Sequence, residues 1–185
     1  MSRTKEIWEK VSEMNISQQI TLGPVNTDSM INDPKHLAFT LSRYKFSAKM
    51  LRKCKHILEI GCGEGLGALM YLAESDAQVT AVDFDQSQID YAIEHVLPHG
   101  RDRVTFGCQD ILTTPYTGAP VDGLVSLDVI EHIDPSEEEQ FFTNAMAVLE
   151  EGGIAVIGTP NKFAERFASP RSQVGHINLF EPDRM

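Results

Sequence analysis

The sequence predicts a doubly wound α/β fold: a mostly parallel sheet of about five strands, helices on both faces, and further helices at the N-terminus. Three observations carry that expectation. Short apolar runs rich in Val and Ile recur at 56–60, 78–82, 103–106, 121–127 and 154–158. Stretches of helical periodicity separate them, as right-handed βαβ units require. The first run passes directly into GCGEGLG at 61–67, a turn that closes a strand and opens a helix.

Each element has its own justification. Residues 4–14 carry Ile7, Trp8 and Val11 at helical spacing. The stretch containing Gly23, Pro24, Asn26 and Asp28 reads as loop. Residues 1–32 are therefore expected to form an N-terminal helix and linker, ahead of a domain spanning 33–185. Asp33-Pro34 marks a helix start, with Asp as N-cap and Pro at the first helical position. Leu37, Leu41, Tyr44, Ala48 and Leu51 give that helix its apolar stripe. Further helices are predicted over 65–74, over 86–96 behind the cap Asp85, and over 135–150 behind Asp134-Pro135. The last presents Phe141, Phe142, Ala145, Met146 and Leu149 on one face, with Gly152 past its end. The strand at 154–158 would form a sheet edge, which predicts either self-association through that edge or cover from residues 162–180.

Composition narrows the function classes. The chain has 185 residues, 42% of them hydrophobic and 23% charged, enough for one substantial core. A formal charge of −11 argues against non-specific nucleic-acid binding, which needs clustered Lys and Arg. Cys54, Cys62 and Cys108 are odd in number and form no C-x-x-C pair, which suits a reducing compartment. MSRTKEIWEK lacks the apolar core of a signal peptide, and no later run reaches the length of a membrane span. A cytoplasmic protein with no membrane partner is expected.

Gly61, Gly63, Gly65 and Gly67 stand at alternate positions. Glycine loses more backbone freedom on folding than any other residue, so four in one short loop imply that something must come very close. Ligands of doubly wound sheets bind beyond the carboxyl ends of the strands, where the strand order reverses. A dinucleotide fingerprint, G-x-G-x-x-G/A, fits only through Gly63, Gly65 and Ala68; started at Gly61, it meets Leu66 in sixth place. Glu59, two residues before Gly61, is a poor companion for a pyrophosphate but a good one for an ammonium group.

Glu59-Ile60-Gly61-Cys62-Gly63-Glu64-Gly65 resembles the E/D-x-G-x-G-x-G motif of class I S-adenosylmethionine-dependent methyltransferases, a Rossmann-like family. The resemblance implies S-adenosyl-L-methionine as cofactor. Its ammonium suits acidic surroundings such as Glu59, and its carboxylate suits backbone N–H groups at a helix N-terminus. Gly61, Cys62, Gly63 and Gly65 would form the cradle. Asp83 would accept from the ribose hydroxyls, with Phe84 flanking the adenine. Asp110, with Ile111 beside it, would meet the adenine amino group; Asp128 closes the fourth strand, and Tyr44 would contact the cofactor as part of a lid. The family fold continues past the fifth strand with a helix and a β-hairpin. LFEPDRM resembles the opening of that helix, so the C-terminal strands are expected to be missing.

Methyl transfer from a sulfonium is an in-line displacement, governed by positioning of the acceptor. A hydroxyl acceptor also gains from a base or a metal. Glu131 and His132, in DVIEH, and His176, in GHINLF, are the candidate catalytic residues. An acid-x-x-Glu-His segment with a later His resembles the metal-assisted O-methyltransferases of small-RNA 3′ ends and of ubiquinone biosynthesis. In that reading Asp128 joins Glu131, His132 and His176 around a divalent ion. The reading adopted is metal-free, with a small-molecule acceptor methylated at oxygen in preference to nitrogen. Its rivals are an NAD(P)-dependent oxidoreductase and a catalytically silent cofactor-binding scaffold.

Overall fold

The computed structural model describes residues 2–14, 19–181 and 183. Strands β1 (His56–Ile60), β2 (Gln78–Asp83), β3 (Val104–Cys108), β4 (Val121–Leu127) and β5 (Leu149–Gly158) form one sheet. Their order is β3-β2-β1-β4-β5, and every pair is parallel. The winding reverses between β1 and β4, so the ligand crevice of the fold lies over the ends of these two strands.

Strand periodicity explains why helices cover both faces. Ile57, Val79, Ala81 and Val125 point to one side, where they meet α3 (Pro34–Met50), α4 (Leu66–Glu74) and α5 (Gln86–His95). Leu58, Ile60, Val82 and Leu124 point to the other and pack on Phe141 and Ala145 of α6 (Glu138–Met146). Strands buried on both faces must be apolar at successive positions, which is why the runs are continuous rather than alternating. The Asp33 side chain caps α3 by accepting from the His36 amide, as its Asp-Pro start predicts.

Three elements depart from the sequence reading. Pro24–Asn32, expected as loop, is a helix, α2, with Gly23 as its extended N-cap and Pro24 at the first position. The helix expected over 135–150 is shorter. Asp134 accepts from the Ser136 amide and hydroxyl in a local turn, so α6 begins only at Glu138. At the other end Leu149 already pairs with Val121 as part of β5. Gly152 (φ +79°) accordingly ends no helix: it sits where the β4–β5 register shifts between Val121 and Gly123.

The N-terminal helix α1 (Arg3–Ser12) buries none of its residues. After β5, a 3-10 segment (Lys162–Phe167) and α7 (Pro170–Gly175) fold back over the turn Ile130–His132, where the Ile177 and Asn178 amides donate to the Glu131 carbonyl at 2.8 and 3.0 Å. That path leaves β5 at the sheet edge, with no further strand beside it among the described residues. Among the described residues, no helix is long and apolar enough to cross a membrane.

Candidate active site

The glycine loop is built from the sheet outward. The Gly61 and Cys62 amides both donate to the Val82 carbonyl, at 2.8 and 3.0 Å, which turns the chain across the end of β2. Gly65 (φ +80°) is the N-cap of α4, and a Cβ there would lie 2.7 Å from the Phe106 ring. Gly63 (φ +52°) differs: a Cβ there would meet only Gln88 Oε1, at 3.9 Å. Packing explains Gly65, whereas the open side of the loop faces outward at Gly63. Cys62 offers the crevice no side chain, because its thiol is buried against Ala81 and Ile89. Burial, with the charges of Glu59 and Asp83, pushes that thiol far above its usual range and leaves it un-ionised.

Glu59 lies beneath the loop with only 3% of its surface exposed. Oε1 accepts from the Tyr71 hydroxyl at 3.3 Å, while Oε2 is buried with no hydrogen-bond partner among the described residues. A Cβ on Gly67 would collide with Oε1 and the Tyr44 ring, so that glycine makes room for the acid. Burial raises the Glu59 carboxyl to about 8; the Tyr71 hydroxyl opposes this and the charge of Asp83 adds to it. A buried acid with one unused oxygen is a receptor for a cation. Tyr44 comes from α3 to the same place, and burial followed by the charge of Glu59 holds its hydroxyl well above the usual range.

The other predicted cofactor residues line the same edge of the sheet. Asp83 Oδ2 accepts from the Gly63 amide at 2.8 Å and Oδ1 from the Asp85 amide at 3.0 Å. An ionised carboxylate has about four acceptor positions, so two remain for a ligand. Phe84, the next residue, is 76% exposed. Asp110 is exposed and spends Oδ1 on the Leu112 amide at 2.9 Å. The Ile111 side chain is buried in the core with Val82 and Phe141, which leaves its backbone for any contact with a ligand.

Asp128 (φ +56°) ends β4, and its Oδ2 pairs with Arg43 Nη2 of α3 at 2.5 Å. Sequence inspection passed over Arg43, although it stands next to Tyr44 in SRYKF. This pairing separates Asp128 from the cluster expected around an ion. The remaining three do converge: Glu131, His132 and His176 each place a donor atom within 4.8 Å of the others. Glu131 has no exposed surface; Oε2 accepts from the Thr159 hydroxyl at 3.1 Å and Oε1 has no partner among the described residues. Burial, then the charge of Asp128, lifts its carboxyl to about 7.

The two imidazoles have assignable tautomers. His132 Nδ1 lies 2.8 Å from the Gly175 carbonyl, and His176 Nδ1 lies 2.8 Å from Glu165 Oε2. A carbonyl and a carboxylate both accept, so each Nδ1 carries a proton, and in the neutral form of either ring the lone pair lies on Nε2. The rings lie 5.3 Å apart, centroid to centroid. Thr159 and Glu165 were missed by sequence reasoning, and no local pattern marks them: Glu165 meets His176 only because the segment between them folds back.

A family model for the methyltransferase domain matches residues 57–153, from β1 into β5. The chain belongs to the class I S-adenosylmethionine-dependent methyltransferase family. The chain is 31% identical over 116 residues to a probable S-adenosylmethionine-dependent methyltransferase of Mycolicibacterium smegmatis, covering 62% of the chain and 42% of that relative. It is 30% identical over 130 residues to the ubiquinone biosynthesis O-methyltransferase of Coxiella burnetii, covering 70% of the chain and 53% of the relative. The chain thus spans about half the length of the curated relatives it matches. Among solved structures, an O-methyltransferase family protein from Burkholderia thailandensis superposes with a TM-score of 0.65 at 15% identity, over 98% of this chain and 60% of that one. N-methyltransferase NodS from Bradyrhizobium japonicum superposes at 0.62 with 19% identity, over 81% of this chain and 79% of that one. These structures share the fold of this chain. The family's cofactor is S-adenosylmethionine, and the crevice fits it: an unused buried carboxylate oxygen at Glu59 for a cation and an open backbone at Gly63 for close approach.

Proposed function

We propose that this protein transfers the methyl group of S-adenosylmethionine to a small-molecule hydroxyl. The observation that carries the reading is the pairing of the glycine loop with the unpartnered Oε2 of Glu59 beneath it. Glu59 would hold the ammonium, Gly63 and Gly65 the backbone approach, Asp83 the ribose hydroxyls, and Phe84 and Asp110 the adenine. Asp128, clamped by Arg43, would border the crevice between the cofactor and the acceptor. When bound, the cofactor supplies an electrophilic methyl group on a sulfonium. The protein's part is to bring an acceptor oxygen into line and remove its proton. His132 Nε2 is the base in this reading, its ring held by the Gly175 carbonyl, and His176 stands beside it with Glu165 behind. Glu131 is buried under both and orients the turn through Thr159 and the amides of Ile177 and Asn178. Oxygen is preferred to nitrogen because the relative in Coxiella burnetii is named as an O-methyltransferase.

A second reading rests on the convergence of Glu131, His132 and His176. One nitrogen from each ring and a carboxylate oxygen of Glu131 would make a mixed nitrogen and oxygen set that suits manganese, iron, cobalt or zinc better than magnesium. The acceptors behind each Nδ1 are those that orient histidine ligands. Such an ion would polarise the acceptor oxygen in place of a base.

The test is product formation by the purified chain from S-adenosylmethionine and a panel of phenols, alcohols and amines. Methylated oxygen acceptors are expected. His132→Ala should lower turnover by about a hundredfold, as loss of a general base does, and leave cofactor binding unchanged. Exhaustive EDTA treatment should leave activity intact if His132 acts as base and abolish it if an ion does. Methylation confined to amines would contradict the preference for oxygen, and full activity of His132→Ala would contradict both readings.

A further inference from the structure

Glu64 occupies the one non-glycine position between Gly63 and Gly65, yet its side chain serves neither glycine. It is buried, and its carboxylate turns away from the loop to the N-terminus of α2. Oε1 accepts from the Val25 amide at 2.6 Å; Oε2 accepts from the Asn26 amide at 3.1 Å and from Asn26 Nδ2 at 2.5 Å. Three donors from a segment about forty residues earlier thus converge on one loop side chain. Gly23 itself provides no side-chain cap, and a Cβ on it would collide with the Glu64 carboxyl group. The cap of α2 is supplied from outside the helix, by the cofactor loop.

The segment so held has further anchors, among them one on α5 and one at the end of β4. Just before α2, the Thr21 carbonyl accepts from the Tyr91 hydroxyl of α5 at 2.6 Å. Just after it, α3 reaches the end of β4 through Arg43 and Asp128 and lays Tyr44 beside Glu59. Residues 19–50 therefore form a strap tied to α5, to the glycine loop, to β4 and, through Lys49 and Glu74 at 2.9 Å, to the end of α4. Of these ties, the one at Glu64 is made by the loop that approaches the cofactor.

We propose that Glu64 is a positioning residue for cofactor binding: by latching the α2 strap, it holds the Gly63–Gly65 backbone in its receptive form and couples closure of the strap to occupancy of the crevice. The inference rests on the S-adenosylmethionine reading of that crevice. Coupling is reciprocal, so a ligand that favours the latched strap must be bound more weakly when the latch is cut, and must tighten the latch when it binds.

The experiment measures S-adenosylhomocysteine affinity by calorimetry, at a temperature where every variant is folded, together with hydrogen exchange at the Val25 and Asn26 amides. Glu64→Ala removes the acceptor, Gly23→Ala drives a methyl group into it from the strap side, and Glu64→Gln keeps a single oxygen for three donors. Glu64→Ala and Gly23→Ala should each weaken binding by about tenfold, equivalent to about 1.4 kcal/mol, with Glu64→Gln between them and the native chain. The double variant should lose little more than either single one, because both cut the same tie. In the native chain the ligand should slow exchange at Val25 and Asn26. A merely stabilising contact would lower the melting temperature and leave affinity alone. Native affinity in a variant whose Val25 and Asn26 amides exchange freely would overturn the proposal, and Gly23→Ala carries this test if Glu64→Ala fails to fold. Failure of the native chain itself to bind would instead sink the cofactor reading on which the proposal stands.

Discussion

Glu59→Gln removes the capacity to ionise at this buried position while keeping the side chain's shape. The folded protein raises this carboxyl from 4.5 to about 8, chiefly by burial. The sign follows from proton uptake. Between these values the folded chain keeps a proton that the unfolded chain releases, so stability is fullest below about 4.5 and is lost as pH rises through about 8. At about 1.4 kcal/mol per pH unit between the two values, the loss over that window is on the order of 5 kcal/mol. Glu131, raised to about 7, adds to the slope in the native chain but equally in the variant, so the difference between the two isolates Glu59. Urea titrations at pH 5, 7 and 9 should show Glu59→Gln gaining on the native chain as pH rises. Cofactor binding should run the other way, because an ammonium pairs with the ionised acid. Calorimetry near pH 7, in buffers of different ionisation heat, should detect release of about one proton on binding to the native chain and none with the variant. Parallel stability profiles, together with equal proton release, would refute the placing of a cation at Glu59.

Other predictions follow from neighbouring residues. Asp83→Ala should weaken S-adenosylhomocysteine binding by at least about tenfold. It should also lower stability by roughly 3 kcal/mol, since two charge-assisted bonds to the Gly63 and Asp85 amides are lost; thermal melts and calorimetry read the two effects separately. Gly63→Val places a branched side chain at φ +52° on the open side of the loop, and should reduce affinity more than Asp83→Ala in the same titration. The exposed edge of β5, with Ile154 only partly covered, should give concentration-dependent self-association in sedimentation velocity; a monomer at all concentrations would contradict this.

Much of the architecture was legible because it is encoded locally. Apolar runs mark the five strands to within a few residues at most ends, and Asp33-Pro34 marks α3, because strand burial and helix capping act on neighbouring residues. What escaped depends on partners distant in sequence. Gly23-Pro24 opens a helix as Asp33-Pro34 does, but its cap is Glu64, so the segment reads locally as loop. Leu149 lies on the apolar face proposed for a helix, yet pairing with Val121 draws it into β5. The site divides in the same way. The glycine loop and the acids at the strand ends are sequential features, and the structure gathers Glu59, Gly63 and Asp83 at one crevice. Arg43, Thr159 and Glu165 join the site only through tertiary contacts, and Asp128 pairs with Arg43 and is not among the three groups that converge.

The central claim is that this crevice takes the methionine-derived cofactor and not a dinucleotide. Parallel calorimetric titrations of the purified chain with S-adenosylhomocysteine and with NAD(H) test it most directly. Saturable binding of S-adenosylhomocysteine is expected, weakened by Glu59→Gln and Asp83→Ala, with no binding of NAD(H). Saturable binding of NAD(H) with none of S-adenosylhomocysteine would contradict it.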